Sequence, residues 1–321
     1  MVVHRVDGAA GADVEGAAER QSDDRPTPAD SLETEDGLSR ADSRIGALAA
    51  NEKPVPQPYA KRLDTPIADE QPTPREVLDG FAPAKAGLPE VTEEEAADYI
   101  AQNVDDRPWL GLAKGCDPPV QRILVALDQG QGHALERHEG FADDDKLQRR
   151  VTALEDPAQL DPEKRAAGID GCKPGNKDHA CGDTATAIQD PDAFAVIFAR
   201  GVEHPDVQRA LRTPFDPKKV PQGVSLTIED LLGADAHRYC SGYRLEPVGG
   251  SKEAGQDCRS AWVEAKRRPD REPDVPDPRC APIESFEGAT VKYFFRPNRD
   301  RDGYEIATMY VEPTRKSGET R

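Results

Sequence analysis

The stretch that most constrains the fold is the first ninety residues, because it can bury little apolar surface. Proline, alanine and aspartate crowd this stretch, as in "DDRPTPADSLETEDG" and "EKPVPQPYAKRLDTPIADEQPTP". A segment of this kind cannot offset the conformational entropy that folding would cost it. The composition therefore predicts a disordered, acidic segment over residues 1–89 and a single folded domain over residues 90–321.

Charge limits the partners that the chain can bind. The 321 residues carry a net charge of −19, and the first hundred hold 22 acidic against 10 basic residues. Proteins that grip nucleic-acid duplexes without regard to sequence depend on a basic surface, so we expect no DNA partner. No apolar run reaches the length of a membrane span, and the first twenty residues lack the apolar core of a signal peptide. We expect a soluble protein without a membrane partner, either cytoplasmic or delivered by a route other than Sec.

Helical patterns come first along the folded part and strand patterns come last. Thr92 and Glu95 form a capping-box pair at the start of one helix, and Asp190 precedes a proline at the start of another. Further helices are predicted in "PPVQRILVALDQ" and "DDKLQRRVTALE", and strands in "GVSLTI", "YCSGYRLEPV", "GATVKYFFRP" and "GYEIATMYVEP". This order predicts an α+β domain in which N-terminal helices pack on a C-terminal antiparallel sheet.

The stretch "GQGHALERHEG" places His133 and His138 five residues apart. On a regular helix this spacing separates the two side chains by roughly 140°, so they cannot share one metal ion as two histidines four residues apart do. The glycines before His133 let it sit at a helix start, where free backbone N–H groups favour an anion. The stretch therefore favours phosphate chemistry over metal chemistry.

Two other patterns also lack the spacing of a metal site. Cys172, His179 and Cys181 lie within ten residues, but no second pair of ligands follows at the spacing of a zinc site. "NRDRDG" begins like a calcium loop, yet Met309 stands where the closing carboxylate should be. We expect neither a metal nor another cofactor. The six cysteines are compatible with free thiols and with one or more disulfides.

The last predicted strand carries hydroxyl groups. Strict alternation would place Tyr304, Ile306, Thr308 and Tyr310 on one face. The hydroxyls of Thr308 and Tyr310 would then lie about 7 Å apart, which suits two donors to one phosphate or ribose. A strand packed on the core with its hydroxyls satisfied incidentally is the other interpretation.

Taken in order, four segments resemble one known family. They are "GHALERH", "KLQRR", the helix "IQDPDAFAVIFARG" and the terminal "GYEIATMYVEP". The chain resembles the bacterial RNase A-like toxin domain found in contact-dependent growth inhibition and other polymorphic toxins. The resemblance implies an RNase A-like fold, with residues 213–285 as an insertion that does not align.

The resemblance also implies an activity and a set of site residues. The family cleaves RNA, often tRNA, without a metal, and a cognate immunity protein is the partner expected for a toxin. By this likeness His138 would be the general base on the ribose 2′-OH, and Arg149 would stabilise the developing charge. Thr308 and Tyr310 would orient the phosphate, and His133 would shape the site or assist proton transfer to the leaving oxygen.

A second class of function stays open at the level of sequence. The net charge of −19 and the absence of a strong catalytic motif are compatible with a non-catalytic interaction module or a secretion-associated protein. In that case the acidic tail would be a docking segment. The two hypotheses differ in whether the predicted site residues converge in the folded chain.

Overall fold

The computed structural model describes residues 57–216, 218–268 and 274–314. Residues 1–56, which make up most of the predicted disordered segment, lie outside the described residues. The described helices are Pro74–Asp79 (α1), Glu93–Asn103 (α2), Leu110–Ala113 (α3), Pro118–Gln129 (α4), Ala134–His138 (α5), Asp144–Ala153 (α6), Pro162–Ala166 (α7), Pro191–Glu203 (α8), Pro205–Leu211 (α9), Ile228–Leu232 (α10) and Lys252–Lys266 (α11). Short 3-10 turns occupy Tyr59–Arg62, Pro83–Ala86 and Ala236–Tyr239.

The strands of the described chain form two antiparallel sheets of three strands each. The strands are Thr184–Ile188 (β1), Val224–Thr227 (β2), Cys240–Leu245 (β3), Cys280–Pro282 (β4), Thr290–Pro297 (β5) and Tyr304–Glu312 (β6). The first sheet has the order β1-β3-β4, and the second has the order β2-β5-β6. The α+β class predicted from the sequence is confirmed.

The two sheets meet where β1 passes β6. The hydroxyl of Thr186 on β1 donates a hydrogen bond of 2.6 Å to the carbonyl of Val311 on β6. The sequence patterns predict no strand over residues 184–188. Its pairing with β3 makes β1 a strand, since Thr184–Ile188 runs in register with Cys240–Arg244.

Helix α8 lies at the centre of the core. Its residues Phe194, Ile197 and Phe198 are fully buried. Tyr293 of β5 reaches across and donates a 2.9 Å hydrogen bond to the carbonyl of Ile197. Its ring also fills the space beside Gly201, where an added Cβ would lie 2.1 Å from the phenol oxygen. The helix and the second sheet are therefore packed directly against each other.

The predicted start of the folded domain at residue 90 is wrong. Residues 57–89 are packed against the domain, with Tyr59, Leu63, Leu78 and Phe81 each no more than 2% exposed. The backbone N–H of Tyr59 donates to the carboxylate of Asp190 at the start of α8. The few apolar side chains in this stretch are enough because they meet a core built by the rest of the chain, a contact that local composition does not reveal.

The predicted insertion at 213–285 does not lie apart from the rest of the domain. These residues supply β2, β3 and β4, so both sheets depend on them. The six cysteines, which are all among the described residues, are free thiols. No helix in the described ranges is long and apolar enough to cross a bilayer.

Replacing Phe81 by alanine tests whether the segment before residue 90 belongs to the fold. The Phe81 ring is 2% exposed and packs edge-on against Phe198, with ring centroids 5.7 Å apart. We expect Phe81→Ala to lower the free energy of unfolding by about 3–5 kcal/mol, measured by urea denaturation. Leu160→Ala, at a side chain that is 45% exposed, should change it by about 0.5 kcal/mol or less. Equal effects of the two changes would contradict the packing described here.

Candidate active site

A bulge in β6 decides which side chains face the site. Phe294 of β5 pairs with Thr308 and Phe295 pairs with Ile306, so Ala307 is an extra residue on β6. The bulge shifts the alternation of faces by one residue. The face predicted from strict alternation is therefore wrong. Tyr304 and Ile306 lie in the core with Met309 and Val311, whereas Thr308 and Tyr310 belong to the opposite face.

The loop before α5 lies on this bulge. The backbone N–H of His133 donates a 3.0 Å hydrogen bond to the carbonyl of Ala307. A Cβ on Gly132 would lie 2.5 Å from that same carbonyl oxygen, so only glycine fits here. The N–H of Gln131 donates to the carboxylate of Glu305, at 2.9 Å. These contacts hold the start of α5 against the strand that ends the described chain.

His138, at the end of α5, stacks on Tyr310. Their ring centroids are 5.3 Å apart, and Tyr310 stacks in turn on Phe294 at 5.8 Å. The Nδ1 atom of His138 lies 3.2 Å from the carbonyl oxygen of Thr186. A carbonyl can only accept, so Nδ1 carries the proton and Nε2 is left as the acceptor. Burial, reinforced by the positive charge of Arg150, holds the pKa of His138 well below 6.5.

His133 and Thr308 flank this stack. The His133 ring centroid lies 6.5 Å from that of His138. Burial and the nearby arginines Arg137 and Arg150 lower the pKa of His133 to about 3, so both imidazoles are neutral at pH 7. The hydroxyl oxygen of Thr308 is buried and has no hydrogen-bond partner among the described residues.

Arg149 does not converge with the other predicted site residues, whereas the charge of its neighbour Arg150 acts on His133 and His138. Arg149 points outward, with its side chain 56% exposed and paired to Asp145 at 2.9 Å. Arg150 is 7% exposed, on the side of α6 that buries Leu147 and Val151. Three residues after Leu147, position 150 falls on the apolar stripe of the helix, whereas position 149 does not. That periodicity could have identified the inner arginine from the sequence.

Arg150 is a buried cation with hydrogen bonds but no ion pair. Its Nε donates to Nε2 of His179 at 3.3 Å, and one terminal nitrogen donates to the carbonyl of Arg137 at 3.1 Å. Within the described ranges no carboxylate lies within ion-pairing distance of it. Its charge acts on the site, lowering the pKa of both His133 and His138.

Arg137, by contrast, is fully paired. It bonds Asp156 through two nitrogens and Asp170 at 2.9 Å, and all three side chains are buried. Burial alone would raise the pKa of Asp156, but the hydrogen bonds from Arg137 hold it below its usual value. Asp156, Asp170 and Cys172 bring three possible metal-ligand atoms within 4.8 Å of one another. Because Arg137 bonds both carboxylates, Asp156 and Asp170 form a buried ion-pair cluster with Arg137.

His179 connects the ion pair to Arg150. Because its Nε2 accepts from Arg150, its Nδ1 carries the proton, and Nδ1 lies 3.7 Å from Asp156 and 3.6 Å from Asp170. This arrangement makes His179 a support for Arg150. From the sequence, His179 suggests only a metal ligand beside Cys172 and Cys181, because its neighbours in the fold are distant in sequence.

No protein-family model matches this chain, and neither the curated proteins nor the solved structures contain a match. The geometry of the candidate site is therefore the basis for assigning a function.

Stability at mildly acidic pH tests the role of His179. Burial lowers its pKa to about 4 from an ordinary 6.5, so the unfolded chain binds its proton more readily than the folded chain does. Its contribution to stability is fully present above pH 6.5 and is lost as pH falls toward 4. The loss amounts to about 3 kcal/mol at most.

The measurement is the free energy of unfolding from pH 7 to pH 4 for the wild type and for His179→Gln. Glutamine can still accept from Arg150 but does not titrate. We expect the difference between the two proteins to shrink as pH falls, because the groups they share cancel. A difference that stays constant with pH would show that His179 is not held neutral by burial.

Proposed function

We propose that this chain is a metal-independent endoribonuclease that cleaves RNA by attack of the ribose 2′-OH on the adjacent phosphate. One observation carries the proposal: Arg150 is a buried guanidinium without a carboxylate partner among the described residues, and its charge acts on His138 and on Tyr310, whose rings stack on each other. A buried, unpaired cation is costly unless an anion binds it. A phosphodiester of RNA supplies that anion. The ribose 2′-OH beside the phosphodiester then lies near the neutral imidazole of His138.

The chemistry follows from the groups that converge there. Nε2 of His138 takes the proton of the 2′-OH, whose oxygen attacks phosphorus and expels the 5′-oxygen, leaving a 2′,3′-cyclic phosphate. Arg150 offsets the charge that develops on the phosphoryl oxygens, and the hydroxyls of Thr308 and Tyr310 donate to those oxygens. His133 returns a proton to the leaving oxygen once the bound phosphate raises its pKa. The hydroxyl of Thr308, unpartnered in the described structure, gains a partner in this step.

The proposal extends to the biology that the resemblance implies. The helix α5 and the strand β6 form the two halves of an RNase A-like site, with tRNA among the substrates. Arg150 takes the role that the resemblance implies for Arg149. A toxin of this kind acts beside a cognate immunity protein that blocks the site.

One observation favours the alternative, a non-catalytic interaction module. His138 is only 7% exposed, which leaves little of its ring accessible to RNA. On this hypothesis the rings of His138, Tyr310 and Phe294 are a structural stack. It predicts that the purified full chain leaves RNA intact under all conditions in which it is folded.

Cleavage of total RNA by the full chain in EDTA distinguishes the two. We expect products that end in a 2′,3′-cyclic phosphate and a loss of about 10²–10⁴-fold in rate for His138→Ala, because the general base is removed. Arg150→Lys should lose at least about tenfold, since a lysine cannot reproduce the guanidinium geometry. Arg149→Ala is the matched control and should cleave within about threefold of the wild type, because an exposed charge is screened. A larger loss in Arg149→Ala than in Arg150→Lys, with both proteins folded by circular dichroism, would reverse the assignment.

The pH dependence of cleavage tests the protonation state of His138. Because its pKa lies well below 6.5, the base stays unprotonated as pH falls from 7 through 6.5. We expect kcat/KM, which reports the free enzyme, not to decrease over that interval and to fall only at lower pH. A falling limb centred near pH 6.5 would mean that His138 is solvated like an ordinary histidine or is not the base.

A further inference from the structure

A cavity lies against the loop that precedes His133. It has a volume of about 640 Å³, and its lining includes Tyr99, Trp109, Glu136 and the backbone of Gly130–Gly132. Glu136 and His138 are two residues apart on α5, which places them roughly 200° apart around the helix. The cavity is therefore separate from the proposed catalytic groups, although both use the same loop.

A buried carboxylate fixes the wall of this cavity. The side chain of Asp128 is fully buried and accepts from the Tyr99 hydroxyl at 2.8 Å and from Nε1 of Trp109 at 2.6 Å. Arg107 donates to it at 2.6 Å, and its guanidinium lies over the Tyr99 ring. Three donors on one carboxylate hold the two aromatic rings in place, so the wall is preformed.

Glu136 is the acceptor left unused in the cavity. No side chain in the described part of the chain donates a hydrogen bond to its carboxylate, and its own backbone N–H is the partner that acts on it. Burial, with smaller contributions from Asp128 and Asp156, raises its pKa to about 7. A carboxylate in this position is stabilised by a ligand that brings N–H donors.

The cavity lies along the same strand as the catalytic groups. Gln131, in the shared loop, is bonded through its N–H to Glu305 and through its carbonyl to Arg296. Thr308 follows Glu305 by three residues on β6, a separation of about 10 Å. Arg299, in the turn between β5 and β6, also lines the cavity. A nucleotide next to the scissile phosphate can span this distance.

We propose that this cavity binds a nucleobase of the RNA substrate, one that carries an exocyclic amino group, with guanine the best fit. Trp109 and Tyr99 give aromatic surface on which a base stacks, a contact worth about 1–3 kcal/mol. Guanine presents two adjacent N–H donors to the single carboxylate of Glu136, whereas uracil has one N–H beside two acceptors. The lining holds the carboxylates of Asp106, Asp128 and Glu136 against the guanidiniums of Arg107 and Arg299, a balance that favours an amino-bearing base over a phosphate. This inference rests on the proposed ribonuclease function for its substrate.

Nucleoside binding to the full chain tests the cavity without any cleavage step. The chain has two tryptophans, and Trp262 lies on α11, where it donates to Asp277. In a Trp262→Phe background, tryptophan fluorescence therefore reports Trp109 alone. We expect guanosine to quench this fluorescence, and uridine to bind about tenfold or more weakly because one hydrogen bond to a carboxylate is lost. Free nucleosides carry no phosphate, so Arg150 does not contribute.

Variants of Glu136 separate base reading from stacking. Glu136→Ala should bind guanosine about tenfold more weakly and lose the preference over uridine, with its melting temperature confirming that it is folded. Glu136→Gln, which keeps the shape, should also lose much of the preference because an amide offers one acceptor oxygen. Equal binding of guanosine and uridine to the wild type, or unchanged binding in both variants, would overturn the proposal.

The outcome is distinguishable from that of the ribonuclease proposal. His138→Ala should bind guanosine as the parent does, because the two groups lie on opposite sides of α5. RNA cleavage that depends on His138, without selective guanosine binding, would overturn the cavity proposal and leave the ribonuclease standing. Selective guanosine binding without RNA cleavage would support the cavity and overturn the ribonuclease.

Discussion

The buried pairing of Arg137 with Asp156 and Asp170 is the interaction on which the candidate site depends. It joins α5 to the long segment between α6 and β1, so that this segment closes over the end of the helix. The desolvation cost of three buried charges is offset only because each has good hydrogen-bond geometry. The carbonyl of Arg137 and the ring of His179 then receive the guanidinium of Arg150. The pairing of Arg137 with the two aspartates thus positions α5, which carries His138, and α6, which carries Arg150.

The second constraint is the bulge at Ala307. An extra residue in β6 turns Thr308 and Tyr310 away from the core and toward α5, while its carbonyl accepts from His133. The two halves of the site are about 170 residues apart in sequence, yet the entropy of closing so long a loop grows only slowly with its length. The contact between the two sheets and the packing of α8 on the second sheet stabilise that closure. The site is therefore a consequence of the core packing.

Local electrostatics differ in sign from the whole chain. A net charge of −19 argues against general affinity for nucleic acid. The buried interior of the candidate site nevertheless holds Arg150 without a carboxylate partner in the described chain, next to two neutral histidines. The neighbouring cavity is acidic, with the unused carboxylate of Glu136. The phosphate backbone of a bound RNA would be attracted to Arg150, and an amino-bearing base would be attracted to Glu136. Two such contacts along β6 would set the register of the bound RNA.

Local periodicity and helix caps were enough to predict the α+β class, the capping box at Thr92 and the two strands that become β5 and β6. The sequence also singled out His138 and Tyr310, which the fold stacks together. Three features follow from tertiary contacts: residues 57–89 join the core, the bulge changes the faces of β6, and Arg150 is buried whereas Arg149 is exposed. Each of these rests on contacts between residues distant in the chain, and local patterns carry no record of such contacts. The carboxylate of Asp128 was missed for the same reason, since its three donors come from elements outside its own helix.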